Sequence, residues 1–97
     1  MATKTTKFDA ADYIDTTEDV IANIEAAFED GDPTVITMTL GDIARSKGMT
    51  AVAKEAGVTR EALYKALSAD GDPKLSTLLG VMKALGLQLT VVRGRAA

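Results

Sequence analysis

The 97-residue sequence contains no cysteine, no histidine and no tryptophan. Without cysteine there can be no disulfide, no thiolate nucleophile and no cysteine-ligated zinc or iron–sulfur site. Without histidine the usual general base and the most common metal ligand are also missing. Only carboxylates remain for acid–base or metal chemistry, so we expect a non-enzymatic protein that holds no metal and no cofactor.

Aromatic residues and long apolar runs are also scarce. The four aromatic residues are Phe8, Tyr13, Phe28 and Tyr64, so the core is expected to be aliphatic. No apolar run approaches the roughly 20 residues that span a bilayer, and no signal peptide is recognisable, which predicts a cytoplasmic protein. The length predicts a single domain over residues 8–92, with a flexible arm at 1–7 and a flexible tail at 93–97.

The charges are unevenly distributed along the chain, although the net charge is only −3. Residues 1–44 hold two basic and ten acidic residues, a net charge of −8. Residues 45–97 hold nine basic and four acidic residues, a net charge of +5. This division indicates a basic partner for the first half and an anionic partner for the second. The alternative is that both halves are solvated faces that attract each other.

Apolar periodicity and capping residues predict five helices. The first four are expected at about 17–30, 33–47, 51–56 and 60–67. The fifth is expected to begin at Leu75 or Thr77 and to end at about 85. The expected N-caps are Asp15 or Thr16, then Asp32, Thr50 and Thr59. The inner faces are expected to be Val20, Ile21, Ile24, Ala27 and Phe28 in the first helix, Ile36, Leu40, Ile43 and Ala44 in the second, and Leu75, Leu78, Leu79, Met82 and Leu85 in the fifth.

The end of the chain has the two-residue period of a strand. Leu87, Leu89 and Val91 alternate with polar residues, which predicts a short strand over 87–92. A lone strand needs a hydrogen-bonded partner, which is either the N-terminal segment or a second copy of the chain. In the second case Leu87, Leu89 and Val91 form the contact of a homodimer around a two-fold axis.

Residues 49–67 have the pattern of a helix-turn-helix motif. Ala53 stands where the two short helices come closest, so its side chain has to be small. Gly57 follows four residues later, where the turn requires a left-handed backbone that glycine adopts at little cost. The apolar seam between the helices is expected to contain Val52, Ala56, Val58, Leu63 and Ala66.

The exposed face of the second short helix is therefore expected to enter the major groove of DNA. Arg60 can bind guanine, Thr59 offers a hydroxyl and a methyl group, and Glu61 can accept a hydrogen bond from cytosine. Lysines, hydroxyls and exposed helix N-termini around it can contact phosphates. The predicted DNA-binding residues are Thr50, Lys54, Thr59, Arg60, Glu61, Tyr64, Lys65, Ser68 and Lys74.

Six segments of the chain are distinctive: LGDIARSKGMT (40–50), EAGVTREALYKAL (55–67), GDP (71–73), KALGLQL (83–89), DAADYI (9–14) and FEDGDP (28–33). Together they resemble the antidote proteins of prokaryotic addiction modules, and the resemblance covers about residues 8–92. It implies a mainly α, five-helix, lambda-repressor-like helix-turn-helix domain with a short C-terminal β-strand. It also implies an antitoxin that neutralises a small basic toxin of the RelE/ParE type. As a dimer, such a protein represses its own operon. Two-fold symmetry would set the two recognition helices about 34 Å apart, so the operator is expected to be an inverted repeat.

The charge division agrees with these two partners, since the acidic half suits a basic toxin and the basic half suits double-stranded DNA. From charge alone, the expected toxin-binding residues are Asp12, Asp15, Glu18, Asp19 and Glu25. Two rival functions remain open: a stand-alone repressor of phage or metabolic type, and an interaction module that has lost DNA binding. The two Asp-Gly-Asp-Pro strings, at 30–33 and 70–73, do not fit a calcium loop and are better explained as helix ends.

Overall fold

The computed structural model describes residues 17–94 and places five helices in them. They are α1 (Thr17–Asp30), α2 (Pro33–Lys47), α3 (Met49–Ala56), α4 (Arg60–Ala66) and α5 (Leu75–Ala84). The expected arm at 1–7, the cap at Asp15 or Thr16, the acidic candidates Asp12 and Asp15, and the last residues of the tail lie outside the described range. The five predicted helices are confirmed for residues 17–94, with bounds close to those expected.

Glycine residues and side-chain caps set several of the helix ends. Gly31 follows α1 with φ +78°, and its N–H donates to the carbonyl of Ala27. The Oδ1 of Asp32 accepts a hydrogen bond from the N–H of Thr34 (2.9 Å), and Pro33 opens α2. The caps predicted at Asp32 and Thr59 are confirmed, because each satisfies an N–H that has no partner within its helix.

The predicted start of α3 is wrong. The helix begins at Met49 rather than at residue 51, and Thr50 lies inside its first turn instead of capping it. Gly48, at φ +111°, donates its N–H to Ala44 (2.8 Å) and accepts from the N–H of Val52 (3.1 Å). One glycine thus closes α2 and opens α3, which leaves no linker in which Thr50 could act as a cap.

The core lies where α3 and α5 cross and extends to α1, α2 and α4. Its largest fully buried side chains are Leu40, Ile43, Leu63, Leu67 and Val81. The crossing is close, since a Cβ atom at Gly80 would lie only 2.7 Å from the Cα of Ala56. The stripes predicted for α1 and α2 face this core, except that Ile21 remains 37% exposed.

The inner face predicted for α5 is wrong in two positions. Leu75 is 67% exposed and Leu79 is 45% exposed, whereas Val81 and Met82 are buried. The face that packs is the i, i+3, i+4, i+7 stripe of Leu78, Val81, Met82 and Leu85. The close contact at Gly80 fixes this rotation of α5 against α3 and leaves Leu75 and Leu79 outside.

The predicted C-terminal strand is absent, since the structure has no strand in residues 17–94. Gly86, at φ +76°, ends α5, and the N–H of Leu87 donates to the carbonyl of Met82 (2.8 Å). Leu87 and Leu89 then pack half-buried against the core, while Val91 is 93% exposed. The two-residue alternation therefore reflects a chain that lies with one side on the core, without a sheet.

Candidate nucleic-acid interface

Helices α3 and α4 are joined by the tight turn 57–59. Gly57 has the left-handed backbone that the sequence predicts, with φ +76° and ψ +27°. The N–H of Val58 donates to Ala53 (3.0 Å), and the N–H of Gly57 donates to Lys54 (3.2 Å). These two bonds satisfy carbonyls at the end of α3 and turn the chain sharply into α4.

The predicted seam between α3 and α4 is present except for Ala66, which is half-buried but is not among the side chains packed on the core. Val52, Ala53 and Leu63 are buried, and Ala56 and Val58 are half-buried and pack against them. Thr59 caps α4, with its Oγ1 accepting from the N–H of Ala62 (3.0 Å). The short helix α4 is thus held both by its cap and by its apolar side, which leaves the opposite side free to carry polar groups.

Helix α2 supports the end of α4 through two residues whose role the sequence analysis missed. A Cβ atom at Gly41 would lie 2.7 Å from the carbonyl oxygen of Leu67, so only glycine permits this approach. The buried Thr37 places its Oγ1 3.2 Å from the carbonyl oxygen of Ser68 and 3.1 Å from that of Thr34. In the sequence, Thr37 and Gly41 stand out only as weak helix formers within a helix, and this alone does not indicate a contact with α4.

Four side chains predicted to face DNA project from α4 into solvent: Arg60, Glu61, Tyr64 and Lys65. The guanidinium carbon of Arg60 lies 5.5 Å from the centre of the Tyr64 ring. The two residues are one helical turn apart, and this distance is within the range of a cation–π contact. The arginine is therefore partly oriented before it meets any ligand.

The remaining predicted residues are exposed and lie before and after α4 in the sequence. Ser68, two residues past the end of α4, donates from its Oγ to the carbonyl of Lys65 (2.8 Å). Thr50 and Lys54 are exposed on α3, and Lys74 is exposed at the start of α5. Four of the nine predicted residues are basic and one is acidic, so together they carry a net charge of +3.

The acidic candidates that the structure describes lie together on α1. Glu18 and Glu25 are exposed, whereas Asp19 is half-buried and its carbonyl accepts from Asn23 (2.8 Å). The helix carries five acidic residues and no basic one.

Among residues 17–94, no three acidic side chains converge in a way that would hold a metal ion. No helix in this range has the length and apolarity to cross a membrane.

Comparison with known proteins gives a family and one relative. Residues 4–93 match a family model described as "Probable addiction module antidote protein". An uncharacterized protein of Haemophilus influenzae (strain ATCC 51907 / DSM 11121 / KW20 / Rd) is 40% identical over 90 residues, which cover 93% of both chains. No solved structure matches the chain significantly.

Proposed function

This chain belongs to the family of probable addiction module antidote proteins, and from that premise we propose that it neutralises a small basic toxin and represses its own operon by binding DNA. An antidote implies a toxin as its partner, and this family is generally non-enzymatic. The DNA-binding element that we propose is a helix-turn-helix over residues 49–67, within a domain of the lambda-repressor type.

The observation that carries the proposal is the exposed polar face of α4 beyond the Gly57 turn. In a helix-turn-helix the N-terminal part of the second helix lies in the major groove. Arg60 stands at the first position of α4 and packs on Tyr64. In our proposal Arg60 donates to O6 and N7 of guanine, while Thr59 and Glu61 contact neighbouring base edges.

The residues around α4 would contact the phosphates. Lys54, Lys65 and Lys74 supply positive charge, while Thr50 and Ser68 supply hydroxyl groups. Such contacts fix the orientation of a protein on DNA without reading its sequence. They also predict a marked salt dependence, because each neutralised phosphate releases counterions.

We further propose that the DNA-binding form is a homodimer. One short helix in one groove buries too little surface for tight specific binding, whereas two helices about 34 Å apart match successive turns of an inverted repeat. Of the three residues proposed for the dimer contact, Leu87 and Leu89 already pack on the core of their own chain, which leaves less of their surface for a second copy. Val91 remains available, together with the exposed Leu75 and Leu79 of α5.

A reporter gene under the operon's own promoter tests the proposed repression. The expected result is that the antidote lowers reporter expression and that the Arg60→Ala variant, expressed at the same level, restores it. Repression that persists with Arg60→Ala would contradict the role given to α4. No repression by the unaltered protein would contradict the DNA-binding proposal itself.

A further inference from the structure

A groove of about 480 Å³ lies between α1 and the segment that follows α5. Its base is formed by Ile24 and Met82, which are both buried in the core. Ile21 and Phe28 of α1 form one apolar wall, and Leu89 lies on the opposite side. The groove thus exposes parts of several apolar side chains to water, where burying them against a partner is favourable.

The rim of the groove is acidic. Glu25 and Glu29 stand one helical turn apart on α1, and both are exposed. Across from them, Gln88 and Thr90 carry no charge, and no lysine or arginine is among the lining residues. An occupant with positive charge on one side and apolar groups on the other complements this surface.

The acidic residues in the second half of α1 are placed unfavourably for the isolated chain. Like charges at i and i+4, such as Glu25 and Glu29, repel each other. Glu29 and Asp30 also lie in the last turn, at the negative end of the helix dipole, where the helix has no basic residue. A cationic partner would relieve both effects, and this electrostatic complementarity favours a basic occupant over a neutral one.

We infer that this groove is the docking site for an amphipathic segment of the toxin, with its apolar residues on Ile21 and Phe28 and its lysine or arginine side chains opposite Glu25 and Glu29. The inference rests on the proposed function, that the chain neutralises a basic toxin. Of the acidic residues predicted from charge to bind the toxin, only Glu25 lines the groove, and Glu29 is a further one. Since none of the lining residues belongs to α3 or α4, the toxin and DNA occupy different surfaces and can be bound together.

The charge part of the inference is tested with the double variant Glu25→Gln, Glu29→Gln and the purified product of the adjacent gene as the probe. The matched control is the double variant Asp70→Asn, Asp72→Asn, which removes the same number of negative charges from exposed carboxylates outside the groove. We expect the groove double variant to associate several-fold more slowly at low salt and to lose most of the salt dependence of association. The melting temperature of the free groove double variant should stay level or rise, because the repulsion is removed.

The apolar part is tested with Ile21→Ser and its control Val35→Ser. The two side chains are similarly exposed, at 37% and 39%, but Val35 lies on α2 outside the groove. We expect Ile21→Ser to speed dissociation about tenfold, the loss typical of an apolar anchor. Val35→Ser should leave dissociation unchanged.

These measurements distinguish failure of the groove as the docking site from failure of the proposed toxin-neutralising function. If the unaltered chain binds the toxin and the groove variants bind equally well, or if each control weakens binding as much as its partner variant, the groove is not the site. If the unaltered chain forms no complex with the product of the adjacent gene, the proposed function fails and the inference fails with it.

Simultaneous binding of toxin and DNA is tested in a native gel. A promoter fragment bound by the antidote should shift further when the toxin is added, whereas release of the DNA would contradict separate binding surfaces.

Discussion

At the scale of single residues, the contact between Arg60 and Tyr64 decides how α4 presents its charge. A free arginine side chain loses much rotational freedom when it is fixed on a base edge. Here the Tyr64 ring, 5.5 Å from the guanidinium carbon, already restricts that freedom. If Arg60 reads a base, the ring lowers the entropic cost of doing so, and Tyr64 acts as a positioning residue.

This role predicts different results for two substitutions of Tyr64. Tyr64→Phe keeps the ring and should leave operator affinity nearly unchanged. Tyr64→Leu removes the ring and should weaken specific binding by about 0.5–1 kcal/mol, the value of an exposed cation–π contact. Fluorescence anisotropy with operator and unrelated DNA measures both. If Tyr64→Phe loses as much as Tyr64→Leu, the hydroxyl group matters instead of the ring.

Arg60 and Lys54 should differ in the kind of binding that they support. Arg60→Ala should cost about 1–3 kcal/mol on the operator and relax the preference at one base position. Lys54→Ala should weaken binding to all sequences alike and lower the salt slope by about one. Binding curves for single-base operator variants at several salt concentrations distinguish the two. Unchanged operator affinity in both variants would move the recognition surface away from α3 and α4.

At the scale of structural elements, Gly57 and Gly80 are needed for different reasons. A Cβ atom at Gly57 would meet no atom within 4 Å, so its requirement comes only from the left-handed backbone. A Cβ atom at Gly80 would instead press on the backbone of Ala56, so its requirement is close packing of α3 on α5. The turn and the crossing are therefore fixed independently.

Two substitutions at Gly57 test the turn. Gly57→Val should lower the free energy of unfolding by more than about 1 kcal/mol, because a β-branched residue is strained in the left-handed region. Gly57→Asn should cost less, since asparagine adopts this region more readily. Chemical denaturation followed by circular dichroism gives both values. Equal stability of Gly57→Val and the unaltered protein would contradict the geometry of the turn.

The sequence predicted the elements well where the determinants were local. Asp32, Thr59 and Gly57 act within a few residues of their own helix ends, so their roles could be read directly. Which side of α5 is buried depends on where α3 crosses it, and this contact between distant segments cannot be predicted from local sequence patterns. The groove brings α1 next to residues about sixty positions away in the sequence. For the same reason, the sequence analysis named only Glu25 of the two acidic residues on its rim.

At the scale of the whole molecule, exposed apolar side chains remain on α5 and beyond it. In the single chain, Leu75 and Val91 are mostly exposed to water, and Leu79 is 45% exposed. Leu89, by contrast, is half-buried against the core, so a charge there would disturb the fold as well as any dimer. The proposed homodimer is therefore tested best on α5.

The double variant Leu75→Asp, Leu79→Asp should be monomeric by light scattering and retain its helical circular dichroism, because both side chains are exposed. Operator affinity should fall steeply, since a monomer fills only one half-site. The control Val35→Asp changes an exposed apolar residue on α2 and should remain dimeric. A double variant that stays dimeric would exclude α5 as the contact.

Specific DNA binding is tested by titrating the purified protein against two labelled fragments of equal length and base composition, one from its own promoter and one scrambled. The promoter fragment should bind at least about a thousandfold more tightly, with affinity for both fragments falling steeply as salt rises. Equal affinity for the two fragments, or no binding to either, would contradict specific DNA binding.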